Sequence, residues 1–337
     1  MKRAMPILAI ALIMGACSAA PRPADPPYAV QDIVAGPDGG YDYISIDPQT
    51  GRVFVGRDFG VMIFDPATAK TARLLARNGV AAVLPIAGTR LMLSTNGPSN
   101  TATLFNRDTG VVTADIATGE DPDGAYHDTA SGLAFVMNGG SGDVSVIDIA
   151  KARRLATIAI GGTPEGAVGD GKGRLFVNVE DTNQIAVIDI AARRIVARYP
   201  LPSCEEPTGI AYDRASGTLI SACRNAVAKL IDAATGKDRG TLPIGARADG
   251  SLFDPSSRTG FVPALDGTLT IYRLDAQGAA TVTQTIRTRE GARTAAYDNV
   301  RGRLYLPFAT VEHDAAGNYL GASKQFGIVS VSARSRE

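Results

Sequence analysis

The 337-residue chain is 45% hydrophobic and contains 37 glycines and 19 prolines, a composition with little sign of long amphipathic helices. Its 34 basic residues balance 34 acidic residues, so the formal net charge is zero. Nucleic-acid-binding proteins normally carry a basic excess on one face, and the composition therefore argues against that class of function, although it leaves room for local charged patches.

The first 16 residues predict a signal peptide. Two basic residues precede a short apolar segment, 6–16, which is too short for a comfortable transmembrane anchor. The sequence MGAC at 14–17 resembles a bacterial lipoprotein cleavage box, in which the signal is cut before the cysteine that carries the lipid. We therefore expect lipidation at Cys17. The alternative is ordinary cleavage near Ala19 or Ala20, which would discard Cys17.

Residues 17–27 predict an extended tether, because four of the eleven are proline. Residues 28–337 then form the predicted globular part. Its first segment, 28–34 (YAVQDIV), reads as a β-strand.

A repeat of about 40–45 residues runs through the remainder of the chain. One landmark opens the first turn of each unit: Asp47, Pro85, Asp128, Asp170, Asp213, Asp254 and Asp298. A second landmark closes the third strand of each unit: Asp65, Asn106, Asp148, Asp189, Asp232 and Asp275. Two registers with the same period are typical of four-stranded propeller blades, and seven copies of the first landmark predict an all-β, seven-bladed β-propeller.

The unit at 157–200 shows the strands most clearly. We expect its strands at 165–169, 174–179 (RLFVNV), 184–189 (QIAVID) and 195–199, since the second and third runs are rich in β-branched residues.

The seventh unit supplies only three strands, which we expect at 294–297, 303–307 and 326–332. We therefore predict that the N-terminal strand at 28–34 joins this blade, closes the ring and removes an open sheet edge. Residues 309–325 read as a long inserted loop. Long loops on rigid scaffolds often carry function, and a simple surface elaboration is the alternative.

Cys204 and Cys223 fall in the loop before the fifth blade and at the end of its second strand. In an oxidising compartment we expect them to form a disulfide, with a reactive thiol pair as the alternative.

The candidate site is the mouth of the central channel. The residues five positions before the first landmarks should ring it: Asp42, Val80, Asp123, Glu165, Thr208, Asp249 and Arg293. The four carboxylates among them, Asp42, Asp123, Glu165 and Asp249, are oxygen ligands of the kind that Ca²⁺ or Mg²⁺ prefers. Arg293 would offset one charge and Thr208 would offer a neutral oxygen. The alternative is that all are solvated loop residues.

The sequence lacks the motifs of several common catalytic and cofactor-binding sites. The chain has two histidines, His127 and His313, and we interpret the first as a packed core residue. It has no C-x-x-C-H sequence for covalent haem, no sequence signature for pyrroloquinoline quinone (PQQ), and no G-x-S-x-G or phosphate-binding loop.

The repeat, in segments such as TPEGAVGDGKGRLFVNVEDTNQIAVIDI, resembles the bacterial YVTN-type propeller repeat of the YncE-like family over residues 28–334. The resemblance implies an exported propeller, with related propellers acting as lactonases or quinoprotein subunits. The chain has no tryptophan, which excludes a WD-type blade.

We therefore expect a periplasmic, lipid-anchored protein, monomeric and held at the outer membrane, that binds a small molecule or an envelope protein through its top face. One alternative is a lactonase-like, metal-dependent hydrolase that uses the acidic ring. The other is a quinoprotein-like redox subunit, which the missing tryptophan and haem motif disfavour.

The lipid anchor can be tested by replacing Cys17 with Ala. The wild-type protein should fractionate with the outer membrane, and C17A should be lost from that fraction because the lipid has no acceptor thiol. A wild-type protein that is already soluble in the periplasm would contradict the anchor.

Overall fold

The computed structural model describes Met1, residues 27–315 and residues 319–334. The predicted signal peptide, Cys17 and the tether up to residue 26 lie outside these ranges, apart from Met1. Among the described residues, no helix is long and apolar enough to cross a membrane.

Within the described ranges the strands form seven four-stranded antiparallel sheets, which confirms the predicted all-β, seven-bladed propeller. Strand β1 (Tyr28–Ala35) comes first in the chain and belongs to blade 7. Blade 1 consists of β2 (Tyr41–Ile46), β3 (Val53–Arg57), β4 (Gly60–Asp65) and β5 (Lys70–Ala76). Blade 2 consists of β6 (Val80–Pro85), β7 (Leu91–Asn96), β8 (Thr101–Asn106) and β9 (Val112–Ala117), with a 3₁₀ turn at Gly97–Ser99. Blade 3 consists of β10 (Pro122–Asp128), β11 (Leu133–Asn138), β12 (Asp143–Asp148) and β13 (Arg153–Ala159).

The later blades follow the same order. Blade 4 consists of β14 (Pro164–Gly169), β15 (Arg174–Val179), β16 (Gln184–Asp189) and β17 (Arg194–Pro200). Blade 5 consists of β18 (Pro207–Asp213), β19 (Thr218–Cys223), β20 (Val227–Asp232) and β21 (Asp238–Pro243). Blade 6 consists of β22 (Leu252–Asp254), β23 (Thr259–Pro263), β24 (Thr268–Leu274) and β25 (Ala280–Arg287). Blade 7 consists of β26 (Ala296–Asp298), β27 (Arg303–His313), β28 (Tyr319–Ala333) and β1.

The two sequence landmarks are turn-forming side chains. In blade 3, Asp128 Oδ2 accepts hydrogen bonds from Ser131 N at 2.9 Å and Ser131 Oγ at 2.6 Å. At the second landmark, Asp189 Oδ1 accepts one from Ala192 N at 2.8 Å. Aspartate suits these positions because its short carboxylate can bond to the backbone two or three residues ahead and hold the turn.

The hydrophobic core is divided among the interfaces between blades. One cluster joins Phe135 and Val146 of blade 3 to Val177 and Ile188 of blade 4, and similar clusters join every other adjacent pair, including blades 7 and 1. Each sheet thus buries both faces against its neighbours, which accounts for strands such as β15 being apolar along most of their length.

Strand β1 runs antiparallel along β28, with Val30 opposite Val331 and Val34 opposite Ile328. It also contacts blade 6, because Tyr28 N donates to Gln284 Oε1 at 2.8 Å and Gln284 Nε2 donates to Tyr28 O at 2.8 Å. The outer strand of blade 7 therefore comes from the opposite end of the described chain.

The expectation of a long loop at 309–325 is wrong for most of that segment. Residues up to His313 continue β27, and β28 already begins at Tyr319, so the insertion is a β-hairpin. Val311 pairs with Ala322, and both Val311 and Tyr319 pack against the core between blades 7 and 1. This packing favours strands, because it gives the apolar side chains of the insertion a surface to cover.

Cys204 and Cys223 form a disulfide in the structure, with 5.5 Å between their Cα atoms. Both residues are buried in the cluster between blades 4 and 5. The bond ties the loop entering blade 5 to the end of β19.

Removing residues 28–34 from the mature protein should cause aggregation or loss of the folded state, because it would leave the edge of β28 unpaired. Thermal unfolding and light scattering measure this effect. Removal of residues 18–27 is the control and should leave the melting temperature unchanged. Normal solubility and melting after removal of 28–34 would show that blade 7 is stable with three strands.

Candidate functional site: the acidic mouth of the central channel

The candidate residues lie where the pairing between the first and second strands of a blade becomes irregular, at the start of the first strand. The first strands of successive blades contact one another around the axis. In blades 1–5 the pairing of the first and second strands shifts register at Tyr41/Ile44, Val80/Val83, Pro122/Ala125, Pro164/Ala167 and Pro207/Ile210. Asp42, Asp123 and Glu165 lie within these shifts. A bulge re-aims the side chains of its extra residues, so that they need not follow the alternation of a regular strand.

The carboxylates line a cavity of about 670 Å³ that spans blades 1–4. Three come from the predicted ring, and three more lie in turns between second and third strands or in a strand-entry loop. The acidic residues of the lining are Asp42, Asp58, Asp121, Asp123, Glu165 and Glu180. Among the described residues that line this cavity, none is Lys, Arg or His. We call this space the acidic cavity.

Tyr43 forms the boundary between the acidic cavity and the channel below it. Its hydroxyl lies 3.4 Å from Glu165 Oε2, although the two residues belong to blades 1 and 4. The space below, about 230 Å³, is lined by Tyr43 and by small or apolar residues from all seven blades, together with Asp249. Tyr43 thus reaches across the axis beneath the carboxylates.

Arg293 neutralises part of the acidic charge. Its Nε donates to Asp249 Oδ2 at 2.6 Å, and one terminal nitrogen lies 3.5 Å from Asp42 Oδ1. Its other terminal nitrogen donates to the Tyr319 hydroxyl at 3.0 Å. Arg293 thus lies against two of the four carboxylates of the predicted ring.

Three carboxyl groups of the acidic cavity have raised pKa values. Burial and the charges of Asp42 and Asp249 raise the pKa of Asp123 well above its ordinary value. Burial and the charge of Asp123 do the same to the pKa of Glu165. The pKa of Asp42 rises only to about 6, because Arg293 opposes the effect of burial. Such shifts are expected where like charges are crowded and desolvated.

The other predicted residues have different surroundings. Val80 lines the acidic cavity, whereas Asp249 lines the channel below. Thr208 is buried in the wall, and its hydroxyl donates to the carbonyl oxygen of Ala248 at 2.8 Å, so it is not among the cavity lining. Neither His127 nor His313 lines the cavity.

The predicted metal ligands are not arranged as a preformed metal centre. Within the described ranges, no three His, Cys, Asp or Glu side chains are grouped closely enough to hold a metal ion. The Asp42, Asp123, Glu165 and Asp249 set is instead divided between two spaces, and Asp249 is engaged by Arg293.

The sequence argument missed Tyr43, Asp58, Asp121 and Glu180. The sequence does carry a signal for Tyr43. It follows Asp42 at a position that is glycine in four other blades, so a large side chain there stands out. Asp58 and Glu180 follow second strands, whose turns lie on the same face as the entries to first strands. The predicted ring covers only the entries to the first strands, so acidic residues in these turns fall outside it.

Comparisons with known proteins support the fold alone. No family model matches the chain, and no curated protein sequence matches it. Among solved structures, the chain is similar to Kuenenia stuttgartiensis Hydrazine Synthase, with a TM-score of 0.69 and 16% identity over 81% of this chain and 94% of that chain. The resemblance to the YncE-like family therefore stays a prediction.

Replacing Glu165 with Gln should raise the melting temperature at pH 8 and have no effect near pH 4. A carboxyl whose pKa is raised by folding stabilises the fold below its unfolded pKa, about 4.3, and that contribution is lost as the pH rises through its folded pKa. The expected gain is about 2 °C for each kcal/mol of repulsion removed.

Asp148→Asn is the control of opposite sign. A hydrogen bond from Lys151 lowers the pKa of Asp148, so neutralisation there should lower the melting temperature at pH 8. An equal melting shift of E165Q at pH 4 and pH 8 would show that the effect is not the ionisation of Glu165.

Proposed function

We propose that this chain is an exported cell-envelope propeller that binds a small cationic ligand in the acidic cavity. A β-propeller fold fits a binding or scaffold role in general. The single observation that supports the narrower proposal is the lining of the cavity, in which six carboxylates surround about 670 Å³ of space without a basic side chain among the described lining residues.

The size of the cavity suits a small molecule. Ligand pockets usually enclose about 300–1,000 Å³ and use a few placed polar groups to orient their ligand. Here the polar groups all favour positive charge. Glycines at 79, 97, 139 and 140 also line the cavity, so part of its wall offers backbone and open space to the ligand.

The titration behaviour of the carboxylates favours a ligand that brings its own positive charge. Burial and mutual repulsion raise the pKa values of Asp123 and Glu165 well above their ordinary values, so these carboxyls keep their protons to a higher pH than free carboxyls do. A bound cation would favour their ionised forms and release these protons. We therefore expect binding to strengthen as the pH rises from 5 to 8.

A metal-dependent hydrolase is less well supported by the geometry. That chemistry needs several protein ligands on one ion and a water held beside them. The described residues do not group three such ligands. A protonated amine needs no fixed coordination number and can be satisfied by carboxylates that stand farther apart.

The cellular setting of the proposal comes from the sequence. An apolar segment at 6–16 and the MGAC sequence support export and a lipid on Cys17, and the repeat resembles that of exported YncE-like propellers. A lipid-anchored propeller in the periplasm would present its top face to solutes of that compartment, or to an envelope protein with a basic segment.

Titration calorimetry with 1,4-diaminobutane tests the proposal. The wild-type protein should bind it, release protons in buffers of different ionisation enthalpy, and bind more tightly at pH 8 than at pH 5. The double variant Asp123→Asn, Glu165→Gln should weaken binding at pH 8 by about 10-fold or more, since charged hydrogen bonds are lost.

Asp148→Asn, at the last residue of β12, is the matched control and should bind like wild type, because Asp148 does not line the acidic cavity. Parallel titrations with Ca²⁺ and Mg²⁺ examine the metal alternative. If the diamine produces no heat and no melting shift at any pH, the cavity does not recognise cations.

A further inference from the structure

Arginines occupy the part of the mouth that the acidic cavity leaves open. A run of backbone hydrogen bonds links the top of blades 5, 6 and 7: Arg247 N donates to Arg224 O at 2.8 Å, Leu265 N to Arg247 O at 3.1 Å, and Gly291 N to Leu265 O at 2.8 Å. Arg293 follows Gly291 by two residues. We call Arg224, Arg247 and Arg293 the arginine arc.

Both ends of the arginine arc meet the acidic cavity through ion pairs. At the boundary of blades 4 and 5, Arg224 lies 3.1 Å from Glu180 Oε1. At the boundary of blades 7 and 1, Arg293 lies 3.5 Å from Asp42 Oδ1. The mouth therefore carries the carboxylates of the acidic cavity over blades 1–4, and over blades 5–7 it carries the three arginines with Asp249 and Glu206 paired among them.

Arg247 differs from the other two members of the arc. Its guanidinium lies 5.0 Å from the centre of the Tyr319 ring, and within the described ranges it forms no ion pair with a carboxylate. Arg247 is exposed, whereas Arg293 is engaged by Asp249, Asp42 and Tyr319. Stacking on an aromatic ring orients a guanidinium while leaving its N–H groups able to bind an oxyanion.

We propose that the mouth binds a zwitterionic small molecule, with its cationic group in the acidic cavity and its carboxylate on Arg247. This inference rests on the proposed function and adds the second half of the ligand. Tyr319, whose ring lies under the guanidinium of Arg247, also accepts a hydrogen bond from Arg293 through its hydroxyl. The anion subsite therefore adjoins the Arg293–Asp42 pair at the border of the acidic cavity.

The hairpin of blade 7 has a specific part in this arrangement. Tyr319 opens β28 and packs against the core between blades 7 and 1, while its hydroxyl meets Arg293 and its ring meets Arg247. The insertion thereby supplies the surface that positions Arg247. Tyr319 is a positioning residue for the anion subsite.

The test compares ligands of equal length that differ only in their charged ends. Calorimetry at pH 8 would use 1,4-diaminobutane, 4-aminobutanoate and succinate, and the corresponding six-carbon set to allow for a longer span. At least one aminoalkanoate should bind more tightly than the diamine of its length, and the dicarboxylates should bind most weakly.

Arg247→Gln should weaken the aminoalkanoate by about 10-fold and leave the diamine unchanged, because only the carboxylate loses its partner. Tyr319→Leu should weaken the aminoalkanoate as well, whereas Tyr319→Phe, which keeps the ring, should retain most of its affinity. Arg90→Gln removes the same charge from an exposed arginine of the β6–β7 turn and should change neither ligand.

The outcomes separate the two proposals. If the diamine binds but the aminoalkanoates are no tighter, or if R247Q leaves their affinity unchanged, the anion subsite is wrong and the cation site stands. If neither the diamines nor the aminoalkanoates bind to the wild-type protein, both proposals are wrong.

Discussion

The close approach of seven innermost strands around one axis is the constraint on which the site depends. A Cβ atom on Gly166 would lie 2.5 Å from the carbonyl oxygen of Thr208, so only glycine fits where blades 4 and 5 meet. A residue of an innermost strand that faces the central axis must therefore be glycine or another small residue, or must direct its side chain along the channel. Tyr43 uses the space that small neighbours leave and crosses toward Glu165. The carboxylates just above it are crowded as a result of the same convergence.

Crowding sets a conflict between stability and recognition. Carboxylates that cannot separate must hold protons, attract a cation or pair with a base, and the mouth shows two of these solutions side by side. Arg293 supplies the base for Asp249 and Asp42, whereas burial raises the pKa of Asp123 and Glu165. Burial alone would lower the pKa of Arg293, but these two aspartates raise it well above its ordinary value. A cationic ligand that reduces the repulsion among these carboxylates would gain affinity from that reduction.

Sequence reasoning recovered the architecture because its signal is repeated. The landmark aspartates form turns through their own side chains, so their spacing reports blade length directly, and β15 and β16 have the predicted bounds. The hairpin at 309–325 was missed because nothing else in the chain repeats it. Its strand character depends on contacts of Val311 and Tyr319 with the core between blades 7 and 1, which no local pattern encodes.

The site was only partly predictable for a related reason. Position within a blade indicates which face a residue lies on, and in the structure Asp42, Asp123 and Glu165 line one cavity on that face. Position alone cannot tell whether a side chain is already engaged, which is why Thr208, bonded to the backbone at Ala248, was expected at the mouth. Engagement depends on neighbours from other blades, and those become visible only in three dimensions.

A disulfide lies beside the boundary between the acidic cavity and the arginine arc. Cys223 immediately precedes Arg224, and its disulfide with Cys204 fixes the loop that carries Glu206. Arg224 lies 3.2 Å from Glu206 and 3.1 Å from Glu180, so the residue next to the disulfide stands between two carboxylates. The two cysteines are 19 residues apart in sequence, and closing a loop of that length stabilises the folded protein by about 3 kcal/mol in the chain-entropy model. Because Cys223 is next to Arg224 in the chain, the bond also ties the backbone at Arg224 to the loop that enters blade 5.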